Sequence, residues 1–497
     1  MGAAQTRNSN KNAETSPLLL SGQQATSVYD DTLSSTREEK EKSLWSNDIY
    51  DTIKLAVPIF FSRLSWVGMR TTDTALLGHV SAEALSASAL SDLWTSSSGI
   101  LIQGSVLGIL VGQAVGADNP KLAGIYLQVS FCVLSCMAVV VIVVWSFTEE
   151  FWLAFGESPE LAKDAGYFAN VLAFGIPGRI IFSQLSQYFS AQRIMHPEVV
   201  TSTTALSLNL AFGLIFVFGI PFPNFDGFGF AACPIVTAVV IYLQILVFWY
   251  FFLFRQRLHE PSWGGFAPHE ITWERIRTFS SLYFPAAFSL ASDFWRVFAV
   301  GAIAARLGET EVGVFNTSYR IMWIALVIVG SISGASGVRT SLCLGNGDHE
   351  GAKQAAYVGI AVALGFLVLT CTLMLLPRGV WLLGSVFTPD PAFLSLLDDC
   401  SLPFTSTLFF MCLAVVLERI PYSMGRTYDV FVSGLVASWG AQVPAVFLLT
   451  KYWRNDLVAL YTGVCIGYVV LVILYGAMVL RSDWKTYADL ARQRAEK

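Results

Sequence analysis

The chain has 497 residues, of which 54% are hydrophobic and only 13% are charged, and its formal net charge is −5. Soluble globular proteins carry about 25% charged residues, so this composition excludes a soluble globule and indicates a protein that crosses a membrane many times. Apolar runs of helix length, rather than short alternating strands, exclude an outer-membrane barrel and favour helices.

The first 44 residues have a different composition from the rest of the chain. Ser, Thr, Asn, Gln and mixed charges dominate 1–44, which predicts a disordered tail, and its start, MGAAQTRNSN, has no apolar segment typical of a signal peptide, so we expect no cleaved signal peptide. Glu14, Leu18 and Leu19, in ETSPLL, fit the acidic dileucine pattern that resembles endosomal or vacuolar sorting signals.

Two apolar stretches carry charged residues. The stretch 57–78 contains Arg63, Arg70 and Asp73, and the stretch 283–304 contains Asp293 and Arg296. Since a charge at the middle of a membrane helix costs at least about 2.5 kcal/mol, these residues are functional candidates. The alternative is structural, because residues three apart on a helix are neighbours and form fixed ion pairs.

The apolar pattern predicts twelve membrane spans. Their approximate ranges are 49–78, 93–115, 124–147, 167–191, 199–221, 230–254, 280–304, 316–342, 356–376, 403–420, 430–449 and 457–480. Alternate loops carry ten basic residues against five in the others, which predicts that both termini are cytoplasmic. The ten are Lys121, Arg193, Arg255, Arg257, Arg275, Arg277, Arg339, Lys353, Arg419 and Arg426.

An internal repeat divides the chain. Two segments of the chain align with an offset of 229 residues, namely GILVGQAVGADNPKLAG (108–124) and GVRTSLCLGNGDHEGAK (337–353), and this alignment superposes Gly116 on Gly345. Pro58 matches Pro285 with an offset of 227 residues. We therefore predict six-helix halves at 45–254 and 280–480, a cytoplasmic linker at 255–279 and a cytoplasmic tail at 481–497. A parallel repeat of this kind places the substrate path between the halves.

The sequence resembles the multidrug and toxic compound extrusion (MATE) transporters over about 45–480. TDTALLGHVSAEAL (72–85) resembles the end of the first helix of the family, and VGQAVGADNPKLAG (111–124) resembles its loop between helices two and three. WGGF (263–266) and SDFW (292–295) resemble the eukaryotic branch. The resemblance implies an all-α membrane fold of twelve helices in two pseudo-symmetric bundles arranged in a V, which exports organic compounds in exchange for H⁺ or Na⁺.

The resemblance also implies site residues. Asp293 matches the seventh-helix acid of the eukaryotic branch. Asp73 matches the first-helix acid of the bacterial members, and Asn209 matches the fifth-helix asparagine of the same bacterial members. We therefore expect these three residues to take part in proton or cation coupling. The bacterial site is incomplete, because the acid expected four residues after Asn209 is Gly213.

The eukaryotic pattern is broken as well. The eukaryotic branch has a second acid in its seventh helix and one acid each in its eighth and tenth helices. In this sequence these positions fall on Phe298, on Arg320 after Tyr319, and near Met411. Glu418 is a candidate replacement, since residues seven apart share a helix face.

The predicted cleft combines these positions with their neighbours. We expect Trp295, Arg296, Tyr319, Arg320 and Glu418 to line it, with aromatic rings suited to stacking and cation–π contact. The arginines allow an anionic or zwitterionic cargo, because guanidinium binds carboxylates in a bidentate manner. Alternatively, they extend to the membrane interface or pair with acids.

The sequence therefore predicts a proton-coupled, or else sodium-coupled, exporter of small organic molecules. A citrate-like organic-anion exporter and a flippase of lipid-linked precursors are the alternatives. An enzyme is not expected, since the five histidines lie in loops or at span ends and the eight cysteines form no CxxC motif or Cys/His cluster. We expect no cofactor or metal beyond the coupling ion, no nucleic-acid partner, a monomer, and a plasma, vacuolar or endosomal membrane.

Overall fold

A computed structural model describes residues 21–103, 105–386 and 388–496, with side chains from residue 45 onward apart from Glu309. The chain divides into two compact units, Met1–Tyr50 and Asp51–Lys497. Helix α1 (Ser21–Val80) begins in the first unit and is helical through 21–44, where a disordered tail is predicted. Glu, Lys, Arg and Gln are frequent in this segment and are strong helix formers, which accounts for its helical backbone. The sorting pattern at Glu14, Leu18 and Leu19 lies outside the described residues.

The remaining helices of the first repeat follow short connections. They are α2 (Ala82–Gly99), α3 (Leu107–Gly116), α4 (Pro120–Ser146), α5 (Thr148–Ala154), α6 (Pro159–Ala173), α7 (Ile176–Ala191), α8 (His196–Phe218) and α9 (Ala232–Phe248). Polar caps set several of their starts, since Ser81, Asn119 and Ser158 accept hydrogen bonds from backbone N–H groups of the first turn. A π-helical segment, Trp249–Arg255, extends α9.

The second repeat begins with α10 after a connection at 256–272. Its helices are α10 (Trp273–Ala304), α11 (Glu309–Gly345), α12 (His349–Leu375), α13 (Gly379–Ser385), α14 (Pro391–Asp399), α15 (Ser401–Ser423), α16 (Thr427–Leu435), α17 (Val443–Tyr452), α18 (Leu457–Leu480) and α19 (Trp484–Glu496). In the connection, a hydrogen bond from Arg275 and its positive charge hold the pKa of Glu270 below its usual range. This ion pair ties the connection to the first turn of α10.

The described residues form an all-α membrane protein without strands. Ten helical segments are long and apolar enough to cross a membrane, and α6 with α7, which meet at a 48° bend, make eleven if they form one span. The predicted first span lies in α1, where Arg63, Arg70 and Asp73 lower the apolar content. The all-helical membrane fold is confirmed, whereas the count of twelve spans stays a prediction.

The two repeats meet at equivalent residues. A Cβ on Gly116 would lie 2.1 Å from the carbonyl oxygen of Leu342, and one on Gly345 would lie 2.1 Å from the carbonyl oxygen of Gln113. Gln113 and Leu342 are related by the offset of 229 that relates the two glycines. Helices α3 and α11 therefore cross at a local two-fold relation, and only glycine allows this approach.

Helix α19 occupies part of the predicted cytoplasmic tail and packs on both repeats. Arg494 Nη1 donates to Gln113 Oε1 at 3.3 Å and to the carbonyl of Met424 at 3.2 Å. Asn119 Nδ2 donates to the carbonyl of Ala495 at 3.0 Å. Because Gln113 and Asn119 belong to the first repeat and Met424 to the second, α19 joins the repeats near the α3–α11 crossing.

Two residues of the basic-loop count lie elsewhere than predicted. Arg339 is inside α11 and Arg419 is inside α15, so neither belongs to a loop. Both arginines also fall inside the predicted spans 316–342 and 403–420, so the loop count includes two residues that the predicted span limits place in helices. Without these two arginines, the first set of alternate loops keeps eight basic residues against five in the other set, and this excess still favours the predicted orientation with cytoplasmic termini.

Candidate functional site

Asp73 receives hydrogen bonds from two other helices. Asn209 Nδ2, on α8, donates to Asp73 Oδ1 at 3.1 Å, and Thr237 Oγ1, on α9, donates to Asp73 Oδ2 at 2.8 Å. Arg70 does not pair with Asp73, but contacts Asp92 on α2 at 2.9 Å. The alternative of a fixed Arg70–Asp73 pair is therefore wrong in this structure.

The position of the missing family acid is filled by an apolar side chain. A Cβ on Gly213 would lie 2.3 Å from Leu76 Cδ1, so Leu76 takes the space beside α8. Thr237 was missed by the sequence analysis. Its signal is a lone hydroxyl in the apolar run of α9, one helical turn after Cys233.

Arg296 is the centre of a second polar group, in the second repeat. Its Nη2 lies 3.3 Å from Asp293 Oδ1 and donates to the Tyr468 hydroxyl at 3.1 Å, while Nη1 donates to Gln442 Oε1 at 3.0 Å. The guanidinium also lies 4.9 Å from the centre of the Tyr468 ring. Arg296 is 5% exposed and both of its Nη atoms are engaged, although its Nε is buried without a partner in the described structure. It is therefore an internal structural group rather than a free cargo-binding cation.

A π-helical segment, Val436–Gln442, presents part of this polar group. Its wider turn carries Gln442 to Arg296, and Trp439 Nε1 donates to Ser292 Oγ at 2.9 Å. Segments of this kind occur frequently at functional sites. Regular helical periodicity does not reveal them, so the sequence analysis missed both residues.

Glu418 is brought to the second polar group as predicted. It is partly buried on α15, and its charge interacts with those of Asp293 and Arg296. Tyr319 is partly buried, packs against Phe315 at 5.7 Å between ring centres, and interacts electrostatically with Arg296. These two predicted residues therefore belong to the same neighbourhood.

Trp295 and Arg320 lie apart from Asp293. Trp295 is 47% exposed. It follows Asp293 by two residues, which on a helix corresponds to a rotation of about 200°, so the two side chains lie on opposite faces of α10. It shares an exposed face of α10 with Phe284 and Phe288. Arg320 is exposed on α11 and has no ion pair within the described part of the chain.

No group of His, Cys, Asp and Glu able to hold a metal ion occurs among the described residues.

Comparisons with known proteins identify the family. The MatE family model matches residues 58–215 and 285–448, once in each repeat. Protein DETOXIFICATION 16 of Arabidopsis thaliana is 24% identical over 472 residues, covering 93% of this chain and 92% of the relative. Multidrug and toxin extrusion protein 1 of Danio rerio is 23% identical over 460 residues, covering 91% and 75%.

A solved structure shows the same fold. The eukaryotic MATE transporter AtDTX14 superposes with a TM-score of 0.80 at 20% identity, covering 91% of this chain and 99% of that one. The family match over both repeats and the shared fold agree with one another, and the chain therefore belongs to the MATE family of multi-pass membrane transporters.

Proposed function

We propose that this protein exports small organic molecules in exchange for protons, by alternating access to a cleft between its two halves. Asp73 carries the proposal. It is a carboxylate within a membrane helix, it has no ion pair among the described residues, and its hydrogen-bond donors come from α8 and α9. An acid that is held in place but not neutralised by a cation can take up and release a proton during a cycle.

The surroundings of Asp73 suit both of its protonation states. The ionised carboxylate accepts from Asn209 and Thr237, and charge-assisted bonds of this kind contribute about 1.5–3 kcal/mol each. Asn209 Oδ1 is buried without a hydrogen-bond partner in the described structure. After rotation of that amide, protonated Asp73 has an acceptor for its new O–H.

In the second half, Glu418 is a better proton carrier than Asp293. Asp293 is balanced by Arg296 at 3.3 Å, so removing its charge leaves an uncompensated guanidinium. Glu418 lies near that pair without joining it. Cargo that competes with protons for Asp73 or Glu418 is linked to them reciprocally, which couples the two fluxes.

Sodium is the second candidate ion. Asp73, Asn209 and Thr237 converge with oxygen atoms, and hard cations prefer such ligands. The absence of a second carboxylate at Gly213 favours the proton, because one acid with two neutral groups holds a cation weakly.

Orientation and location follow the same proposal. The excess of basic residues in alternate loops supports a cytoplasmic position for both termini, and we expect the protein in the plasma membrane or in a vacuolar or endosomal membrane. We expect the monomer to suffice, because the coupling groups all lie within one chain.

Reconstitution of the purified full chain tests the function. Proteoliposomes are given a pH gradient or a Na⁺ gradient, and uptake of tetraethylammonium and citrate is measured. We expect accumulation of at least one cargo with the pH gradient alone. Accumulation that follows only the Na⁺ gradient, or no accumulation of any cargo, would overturn the proposal.

A further inference from the structure

Two arginines from different halves lie against one face of α11. A Cβ on Gly330 would lie 2.3 Å from Arg63 Nη1, and one on Gly337 would lie 2.6 Å from Arg419 Nε. Gly330 and Gly337 are seven residues apart and therefore share a helix face. Arg63 belongs to α1 of the first half and Arg419 to α15 of the second, so both halves contribute.

The pair lies along one half of the span. Gly330 is three residues from the centre of the 37-residue helix α11, and Gly337 is ten residues from it. At about 1.5 Å per residue, the two glycines lie about 5 and 15 Å from the helix centre, against a half-thickness of about 15 Å for the hydrocarbon core, so the site reaches from near the middle of the helix towards one membrane interface.

Neither guanidinium has a direct partner in the part of the chain that the structure describes. Among the described residues, Arg63 and Arg419 have no hydrogen-bond acceptor and no ion pair, and Arg419 Nε is buried without a partner. Arg70 and Arg296 differ from them, since these two arginines have carboxylates at 2.9 and 3.3 Å.

The nearest acids act only at a distance. Arg63 interacts electrostatically with Glu198, which accepts a hydrogen bond from Ser190 at 2.8 Å, and Arg419 interacts with Glu418. Neither acid forms an ion pair with its arginine in the described structure. Arg63 and Arg419 also repel each other, which raises the cost of keeping both charged within the membrane.

We propose that Arg63 and Arg419 form a binding site for a small organic anion with at least two carboxylates. Each guanidinium takes one carboxylate through a bidentate pair, which is the geometry that arginine favours. The ligand bridges α1 and α15 across the face of α11 that carries Gly330 and Gly337. Because glycine has no side chain, this face leaves room for both guanidinium groups. This inference rests on the proposed transport function, for which it names the cargo class.

The site differs from the one expected from sequence. Arg296 and Arg320 are the predicted anion-binding residues, but both Nη atoms of Arg296 are held by Asp293, Gln442 and Tyr468, and Arg320 is exposed on α11. Arg63 and Arg419 instead combine a place beside the glycine face of α11 with the lack of an ion pair in the described structure.

Equilibrium binding of citrate to the purified, detergent-solubilised full chain tests the site by calorimetry. We expect Arg63→Gln and Arg419→Gln each to weaken the citrate Kd by about 10- to 100-fold, since each removes one charge-assisted pair. Arg306→Gln, at an exposed position, is the matched control and should leave the Kd unchanged. Unchanged binding in both test variants would overturn the site.

A charge-preserving variant keeps the test valid if an arginine variant fails to fold. Gly330→Ala places a methyl group against the tip of Arg63 and should also weaken citrate binding, with folding checked by size-exclusion chromatography. Inorganic phosphate that binds as tightly as citrate would overturn the dicarboxylate class, because a single anionic group would then suffice.

Transport separates this inference from the exporter function. Proton-driven uptake of tetraethylammonium without any citrate binding would refute the anion site and leave the exporter intact. Arginine-dependent citrate binding without transport of either cargo would support the site and refute the exporter.

Discussion

Replacing Asp73 with asparagine should uncouple transport from the pH gradient while the protein stays folded. Asparagine has nearly the same shape, its oxygen can accept from Thr237, and its amide can donate to Asn209 Oδ1, which is buried without a partner in the described structure. The hydrogen bonds are therefore exchanged rather than lost. We expect the free energy of unfolding to change by no more than about 1.5 kcal/mol.

The effect on transport follows from the driving force. One proton moving down one pH unit supplies about 1.4 kcal/mol, which sustains about tenfold accumulation of cargo. If Asp73 carries that proton, Asp73→Asn loses the tenfold accumulation. Exchange of labelled for unlabelled cargo needs no net proton movement and should continue in the variant.

Proteoliposomes with and without a gradient of one pH unit distinguish these outcomes. Thr237→Val is the matched control, because it removes one donor but keeps the acid, and it should still accumulate cargo when the gradient is applied. Undiminished tenfold accumulation by Asp73→Asn would refute the assignment of the coupling proton to this residue.

Other substitutions test the structure around the sites. Asp293→Asn should lower the free energy of unfolding by about 2 kcal/mol, since it strips Arg296 of its counter-ion while Asp293 itself is 38% exposed. Adding Arg296→Gln should restore the melting temperature. An unchanged melting temperature in the single variant would count against the ion pair. Gly116→Ala should lower the free energy of unfolding by about 1–3 kcal/mol, because its Cβ would clash at the α3–α11 crossing. Gly365→Ala is the control, since a Cβ there meets no atom within 4 Å, and it should stabilise the protein slightly. Equal changes in the free energy of unfolding for the two variants would contradict the crossing. Arg494→Ala should weaken the attachment of α19 to the two repeats, because it removes the hydrogen bonds to Gln113 and Met424. Limited proteolysis should then cleave the C-terminal residues faster. An unchanged rate of cleavage would show that apolar contacts alone hold α19.

The sequence predicted the parts of this protein that depend on local composition. Apolar runs located nearly all of the long helices, and the repeat at an offset of 229 identified Gly116 and Gly345, which meet in the structure. The resemblance linked Asp73 with Asn209, and these residues are hydrogen-bonded at 3.1 Å.

Features that depend on packing between distant segments were not predicted. The pattern within one helix does not reveal whether Arg70 pairs with Asp73, three residues away, or with Asp92 on the next helix, which it contacts at 2.9 Å. Thr237 and Gln442 acquire their roles only when α9 and the π-helical segment pack against their partners.

The polar segments posed a different difficulty. Helix α19 is too hydrophilic to count as a span, yet Trp484, Ala488 and Ala491 are buried at helical spacing, and that stripe was the available signal. Arg339 and Arg419 were counted with the loops because they lie close to the predicted ends of their spans, at 342 and 420. Their place inside helices is set by tertiary contacts such as the close approach of Arg419 to Gly337.

The coupling of cargo to protons can be measured directly in the purified protein. Cargo added to detergent-solubilised protein in weakly buffered solution between pH 5 and 8 should release up to about one proton per molecule from Asp73, and Asp73→Asn should release correspondingly less. Saturable cargo binding that leaves the proton balance of the wild-type protein unchanged throughout this pH range would contradict proton exchange.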